Sequence, residues 1–151
     1  MKAQRYHLTT VAVFAAAALC TMAFATASAS QELLHARISY ESGGAMVKGT
    51  ADSEWSYATT NTIVLPGDTL WADEQGMLEL EMAGGSFLRM ADGSKAQIVQ
   101  VPPSATIQAW SGSFYIHRIR RSNGDFIVQT PACVVDVSRE SQVRIDVVGE
   151  G

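Results

Sequence analysis

Apolar and polar side chains alternate with a period of two along most of the chain after residue 35. In the first such run, Ala36, Ile38 and Tyr40 fall on one face, whereas Arg37 and Ser39 fall on the other. This is the period of a β-strand with one buried face. Because the pattern recurs in residues 78–82, 126–130 and 143–147, it predicts strands over nearly all of this part of the chain.

Turn-forming residues separate these runs. Glycine and asparagine tolerate positive φ, and proline presets the first position of a turn. Successive turns are separated by roughly 8 to 20 residues, which is too short for a parallel sheet with crossover helices. The sequence therefore predicts a single all-β domain of about eight to ten short strands, in a twisted solenoid-like roll or a sandwich. The turn segments are Gly43-Gly44, Pro66-Gly67-Asp68, Gly84-Gly85, Asp92-Gly93-Ser94, Pro102-Pro103, Ser111-Gly112 and Asn123-Gly124.

The first 29 residues have the composition of an export signal. Lys2 and Arg5 precede an apolar run over residues 8–25, and Ala27-Ser28-Ala29 places small residues where a signal peptidase cleaves. A retained membrane anchor is the alternative. We expect a signal-peptide helix over residues 1–29, followed by one domain over residues 30–151.

Charge and cysteine content limit the classes of partner. The chain carries 11 basic and 15 acidic residues, a net charge of -4, and loss of Lys2 and Arg5 with the signal makes the mature protein more acidic. This balance argues against nucleic-acid binding. Because Cys20 also leaves with the signal, Cys133 has no internal disulfide partner, and its strand-like surroundings predict a buried thiol. An intermolecular bridge or a reactive thiol is the alternative.

The sequence contains few signs of catalytic chemistry. His35 and His117 stand at no metal-ligand spacing with Cys133, and no nucleophile elbow or phosphate-binding loop is present. Glu79 and Glu81 share one face of a predicted strand, where the solvated outer face explains them better than an acid/base pair. We therefore expect no enzymatic activity, no metal site and no cofactor.

Two groups of residues are candidates for contacts with a partner. Arg118, Arg120 and Arg121 follow a predicted strand, and either form a solvated loop end or dock an acidic protein or anionic polymer. The second group is aromatic: Trp55, Tyr57, Trp71 and Trp110 would stack on a sugar or a peptide if exposed. For Trp55 and Tyr57, which lie in the least regular segment, we expect a role in closing one end of the core instead.

A series of short motifs follows along the chain: Ala36-Arg37-Ile38-Ser39-Tyr40, Gly43-Gly44-x-x-Val47, Trp55, Leu65-x-Gly67-Asp68-x-Leu70, Leu78-x-Leu80, Leu88-Arg89-Met90, Ser111-Gly112-Ser113-Phe114-Tyr115-Ile116 and Phe126-x-Val128-x-Thr130-Pro131-Ala132. In this order the motifs resemble the FecR-type extracytoplasmic domain of bacterial envelope proteins. The resemblance implies an all-β fold of short strands in a twisted, partly solenoid-like stack. FecR regulators carry a cytoplasmic anti-sigma segment and a membrane helix before this domain, so the resemblance is to exported, stand-alone relatives.

Similar domains continue into further strands after the segment 143–147, whereas this chain stops at Gly151. A truncated C-terminus is the expected reason, and a last edge strand left open for a partner is the alternative. For function, the resemblance implies a non-catalytic interaction module in the periplasm or cell envelope that contacts other envelope proteins in signalling. The alternative hypothesis is a module that binds cell-wall polymer or another polysaccharide through the aromatic residues.

Overall fold

The computed structural model describes residues 35–82, 84–119 and 124–148, all of which belong to one compact unit, Leu34–Gly151. The predicted signal peptide, Arg120 and Arg121 lie outside the described residues. Within them the chain forms strands and no helix. The strands are β1 (Ala36–Ser42), β2 (Ala45–Lys48), β3 (Ser56–Tyr57), β4 (Ile63–Val64), β5 (Thr69–Ala72), β6 (Met77–Met82), β7 (Ser86–Met90), β8 (Lys95–Gln100), β9 (Ala105–Arg118), β10 (Phe126–Gln129), β11 (Val134–Asp136) and β12 (Ser141–Val147).

All twelve strands belong to one curled sheet, which has two halves joined by β9. Half-sheet A has the order β4-β1-β6-β7-β9-β12, and half-sheet B has the order β3-β2-β5-β8-β9-β10-β11. Neighbouring strands are antiparallel except β9 and β10, which pair in parallel from Ala105 opposite Phe126 to Gln108 opposite Gln129. The first part of β9 thus lies between β8 and β10, and its last part lies between β7 and β12.

The chain passes from one half-sheet to the other several times, and four of these passages are corners between adjoining strands or within one strand. Gly43 and Gly44 separate β1 from β2, residues 73–76 separate β5 from β6, and residues 91–94 separate β7 from β8. The fourth corner lies inside β9, where Gly112 has a φ of 97°. The other passages include the longer connections from β3 to β4, from β4 to β5 and from β11 to β12.

Hydrogen bonds link these corners to one another. The Asp73 N–H donates to Gly44 O at 2.7 Å, and the Ala72 N–H donates to Ser94 O at 2.9 Å. Ser94, which is fully buried, uses its hydroxyl to donate to Ser113 O at 3.1 Å and to accept from the Ser113 N–H at 3.0 Å. The corners therefore satisfy the backbone groups that the bends remove from the strand ladders.

The curl encloses one hydrophobic core, to which both half-sheets contribute the inward faces of their strands. Leu80 and Ile116 of half-sheet A and Leu70 and Ile107 of half-sheet B are almost completely buried. Residues next to them in sequence point outward, as the period of two predicts. The outer faces of the two half-sheets are accordingly two separate surfaces on which polar and aromatic side chains are displayed.

The all-β fold predicted from the sequence is confirmed, with twelve strands rather than eight to ten. The additional strands are β3, β4 and β11, which are two or three residues long and too short to show a period. A register shift between Ile38 and Tyr40 places Tyr40 at 49% exposure, so the prediction that it shares a face with Ala36 and Ile38 is wrong. Ser111-Gly112, predicted as a turn, is a bend inside β9.

The bend at Gly112 generates the first prediction. A Cβ at this position would lie 2.4 Å from the Ser94 Cα and 2.3 Å from its hydroxyl oxygen, and the positive φ is itself unfavourable for alanine. Ser94 is buried, and its backbone cannot move aside. We therefore expect Gly112→Ala to lower the free energy of unfolding by about 3 kcal/mol or more. Urea denaturation monitored by circular dichroism measures the loss.

Gly93→Ala is the matched control. Gly93 also has a positive φ, 67°, but a Cβ there meets no atom within 4 Å. We expect it to cost about 1 kcal/mol, the conformational penalty alone. Equal losses for the two variants would contradict the close approach of the β9 bend to Ser94.

Candidate functional site

The outer face of half-sheet B carries a row of large side chains that runs across the strands. Tyr57 of β3 is paired with Met46 of β2, Met46 with Trp71 of β5, and Trp71 with Lys95 of β8. Trp110 of β9 has no direct partner on β8. It lies at a register shift, between Ser111, which is paired with Lys95, and Ala109, which is paired with Ala96. We call Tyr57, Met46, Trp71, Lys95 and Trp110, together with Trp55 beside them, the aromatic row.

Contacts within the aromatic row bring the three tryptophans of the chain together around one lysine. The rings of Trp55 and Trp71 meet edge to face, with their centroids 6.0 Å apart and their planes at 65°. The Lys95 ammonium lies 5.7 Å from the Trp55 ring centroid and 5.6 Å from that of Trp110. Both distances are within the range of a cation–π interaction, so Lys95 places a positive charge between the two indoles.

The aromatic row is accessible to solvent. Tyr57 is 78% exposed, and Trp55, Trp71 and Trp110 are each partly exposed. The prediction that Trp55 and Tyr57 close one end of the core is therefore wrong. The position of Tyr57 follows from register, because Met46 lies between the inward-facing Ala45 and Val47, and a residue paired with Met46 must share its outward face.

The spacing of the aromatic row follows from the sheet. Tyr57, Trp71 and Trp110 lie on β3, β5 and β9, so that one strand separates each ring from the next along the order β3-β2-β5-β8-β9. Since neighbouring strands lie about 4.8 Å apart, successive rings recur about every 9 to 10 Å. The row thus offers flat apolar surfaces at a regular interval along a line across the strands.

A polar row lies beside the aromatic row, two residues away from it on β2, β5, β8 and β9, and continues onto β10. It contains Lys48, Thr69, Gln97, Gln108 and Gln129, which are successive cross-strand partners. Gln97 donates from Nε2 to Gly67 O at 3.0 Å, and Gln108 donates to Gln129 O at 3.3 Å. These contacts orient the amides across the outer face, next to the stacked rings.

The structure places Arg118 inside the protein rather than in a loop. Arg118 is the last residue of β9 and is 3% exposed. Its Nη1 donates to Val137 O at 2.5 Å and its Nη2 donates to Gly124 O at 2.8 Å, while the guanidinium lies 5.8 Å from the Phe126 ring centroid. The guanidinium therefore binds this chain's own backbone, and the predicted docking group of Arg118, Arg120 and Arg121 does not present it to a partner.

The surroundings of Arg118 favour a structural role. Burial lowers the pKa of its guanidinium, and the positive charge of Arg139 lowers that pKa further, whereas Asp136 and Asp125 raise it. Its buried Nε has no hydrogen-bond partner among the described residues. The two carbonyls and the Phe126 ring compensate for the burial of the charge, and they join the end of β9 to the segments around β10 and β11.

Glu79 and Glu81 lie on the outer face of half-sheet A, as predicted, and each is paired with an arginine. Glu79 accepts from Arg89 at 2.6 Å, and Glu81 accepts from Arg37. Glu79 and Arg89 border a shallow groove of about 570 Å³ that crosses β7, β9 and β12. His117 lies in the groove with its ring stacked on Phe87, and among the described residues no three His, Cys, Asp or Glu side chains come together as metal ligands.

Cys133 is exposed, so the prediction of a buried thiol is wrong. The residue lies in the turn between β10 and β11 rather than inside a strand. There the Thr130 hydroxyl accepts from the Cys133 N–H at 3.0 Å and donates to Cys133 O at 2.9 Å. The Thr130 hydroxyl closes the turn, and the thiol consequently projects to the surface.

No family model, no curated protein and no solved structure matches this chain. The resemblance to FecR-type domains therefore stays a prediction from the sequence motifs. In the part of the chain that the structure describes, no helix has the length and apolar character needed to cross a membrane.

The burial of Arg118 generates the second prediction. Arg118→Met keeps the apolar stem but leaves the carbonyls of Val137 and Gly124 without their donor. We expect the free energy of unfolding to fall by about 2 to 4 kcal/mol. Thermal and urea unfolding of the purified variant measure it.

Arg89→Met is the control, because Arg89 is half-exposed and bonds one carboxylate on the surface. Exposed pairs contribute about 1 kcal/mol or less. If Arg118→Met is no more destabilising than Arg89→Met, the structural role of Arg118 is wrong.

Proposed function

We propose that this chain is a non-catalytic binding module of the bacterial cell envelope, which contacts an extended polysaccharide through the aromatic row. The observation that carries the proposal is the collection of all three tryptophans, with Tyr57, on one solvent-accessible sheet face. Aromatic rings that are half-buried on one side and open on the other are typical of ligand contacts. The export signal predicted for residues 1–29 supports the extracytoplasmic location.

The geometry of the row favours an extended glycan over a compact ligand. The C–H face of a sugar ring stacks on an indole or phenol ring, while its hydroxyl groups project sideways. In an extended β-linked chain, alternate sugars present the same face, and rings about 9 to 10 Å apart fit that alternation. The amides of Gln97, Gln108 and Gln129 lie beside the rings, where hydroxyl groups of the glycan would accept and donate hydrogen bonds.

A non-catalytic role is supported by the state of the carboxylates. Glu79 and Glu81, the strongest acid/base candidates in the sequence, are each held by an arginine on the opposite outer face. In each pair the arginine occupies a carboxylate oxygen that a substrate would otherwise contact. The aromatic row itself contains one ionisable cation, Lys95, and no carboxylate.

A protein partner is the second candidate for the same surface. Tyrosine, tryptophan and methionine are enriched in the centres of protein interfaces, and Tyr57, Met46 and Trp71 are consecutive across β3, β2 and β5. This candidate corresponds to the signalling role that the FecR resemblance implies. Because Arg118 is buried, it does not support binding of a protein partner. The aromatic row is therefore the proposed contact surface for both candidates, the polysaccharide and the protein.

Binding to polysaccharide is the third prediction. We expect the protein to sediment with insoluble peptidoglycan or with an insoluble β-glucan, and Tyr57→Ala or Trp71→Ala to weaken that binding by about tenfold or more, since each removes a stacking ring. Tyr115→Ala is the control, because Tyr115 is a partly exposed ring on the outer face of half-sheet A. Unchanged binding by both row variants would exclude the aromatic row as the glycan site.

Tryptophan fluorescence provides an independent measurement, because every tryptophan of the chain belongs to the aromatic row. A soluble oligosaccharide of the polymer that binds should change the emission and protect it from acrylamide quenching. If the oligosaccharide changes neither, whereas a protein captured from the envelope does, the surface belongs to a protein partner. If acrylamide quenches the emission of the free protein only slowly, the tryptophan rings are not accessible, and neither a polysaccharide nor a protein can bind to them.

A further inference from the structure

The edges of the curled sheet differ greatly in length. β3 and β4 end their half-sheets with two residues each, and β11 has three. β12 has seven residues, pairs with β9 alone among the described strands, and keeps one register from Ser141 opposite Arg118 to Val147 opposite Gly112. Short edge strands are a common protection against pairing with another chain. β12 is the edge that lacks this protection.

β12 lacks the other usual protections as well. It contains no proline, no bulge and no inward-pointing charge. Its inner face consists of Val143, Ile145 and Val147, which pack against the core but stay partly exposed. A regular, half-covered apolar strand of this length is suited to pairing with a further strand.

Charges on the outer face of β12 point to one occupant. Arg144 and Asp146 project from that face, and the Arg144 Nε donates to Asp146 Oδ1 at 2.9 Å. The Ser113 hydroxyl also donates to Asp146 Oδ1, at 2.5 Å, and these contacts lower the pKa of the Asp146 carboxyl. β12 thus displays one fixed positive and one fixed negative charge, two residues apart.

We infer that β12 pairs antiparallel with β12 of a second copy of this chain, about a two-fold axis through Ile145. In this register Ile145 lies opposite Ile145 of the second copy, and Val143 lies opposite Val147. Arg144 lies opposite Asp146 of the second copy, and the reciprocal pair forms on the other side of the axis. The dimer therefore gains two cross-strand ion pairs and a continuous apolar inner face.

The symmetry selects this register. A two-fold axis normal to the sheet places one residue opposite itself, so the central registers are those centred on Arg144, Ile145 and Asp146. A register centred on Arg144 places the Arg144 side chains of the two copies opposite each other. A register centred on Asp146 does the same with the two Asp146 carboxylates. Like charges directly opposite each other destabilise a strand pair. Of these three registers, the one through Ile145 alone brings opposite charges together.

Charge reversal tests the pairing with the full-length purified chain in sedimentation-equilibrium runs. We expect a mass twice that of the chain, and a weakening of dimerisation by at least about tenfold for Arg144→Glu and for Asp146→Arg, since each opposes like charges twice. Mixing these two variants should restore dimers. In the mixed dimer, residues 144 and 146 of the first variant are both acidic, and the residues opposite them in the second variant are both arginine. Mixing would not restore dimers if the variants had lost dimerisation because they misfold.

A monomeric wild-type chain overturns the inference, and so does a mixture that dimerises no better than the separate variants. Cysteine cross-linking then checks the register, in a chain whose Cys20 and Cys133 are changed to Ser. Ile145→Cys should form an intermolecular disulfide under mild oxidation, because opposite Cβ atoms are about 5 Å apart. Val143→Cys should not, because residue 143 lies about 14 Å from its own copy in this register. Equal cross-linking of both would overturn the register.

Discussion

One strand, β9, holds both halves of the structure together. Its 14 residues have neighbours on both sides in each half-sheet, first β8 and β10 and then β7 and β12. Such a strand continues from one half-sheet into the other only if its backbone bends sharply without losing its hydrogen bonds. Gly112 allows the bend through its positive φ, and the buried Ser94 hydroxyl bonds the backbone beside it. The single core enclosed by the curl depends on this bend.

The same bend separates two outer faces with different chemistry. The face of half-sheet B carries the aromatic row, in which Lys95 lies between two indoles. The face of half-sheet A carries ion pairs, including Glu79 with Arg89, and ends at the long edge strand β12. A polysaccharide on one face and a second copy at the edge of the other would not compete for surface. In such an arrangement, two glycan-binding rows would belong to one dimer.

Much of the fold was predictable from the sequence, because one buried face imposes a period of two on every strand of sufficient length. The alternation in residues 78–82 and the turn at Gly84-Gly85 both correspond to the hairpin of β6 and β7. Strands of two residues give no period, and a bulge such as the one before Tyr40 reverses the face without leaving a sequence signal. The signal peptide, the envelope location and the FecR resemblance stay predictions.

The candidate site was predictable only in part. Trp55, Tyr57, Trp71 and Trp110 were recognisable as stacking residues, but their grouping depends on the pairing of β3, β2 and β5, which local sequence does not encode. Lys95 was missed, although its position before the inward-facing Ala96 indicates an outward side chain. Arg118 and Cys133 were misjudged because burial at a strand end or in a turn is decided by segments distant in sequence, here residues 124 and 137 for Arg118.

We infer that β9 makes the two half-sheets one cooperative unit, which native-state hydrogen exchange can test. The amides of Ile107 in half-sheet B and Ile116 in half-sheet A are the probes, since both residues are buried at the centre of β9 segments flanked on both sides. We expect both amides to exchange through global unfolding, with the same free energy and the same dependence on denaturant. Exchange of one probe through a separate opening of lower free energy, while the other stays protected, would contradict it.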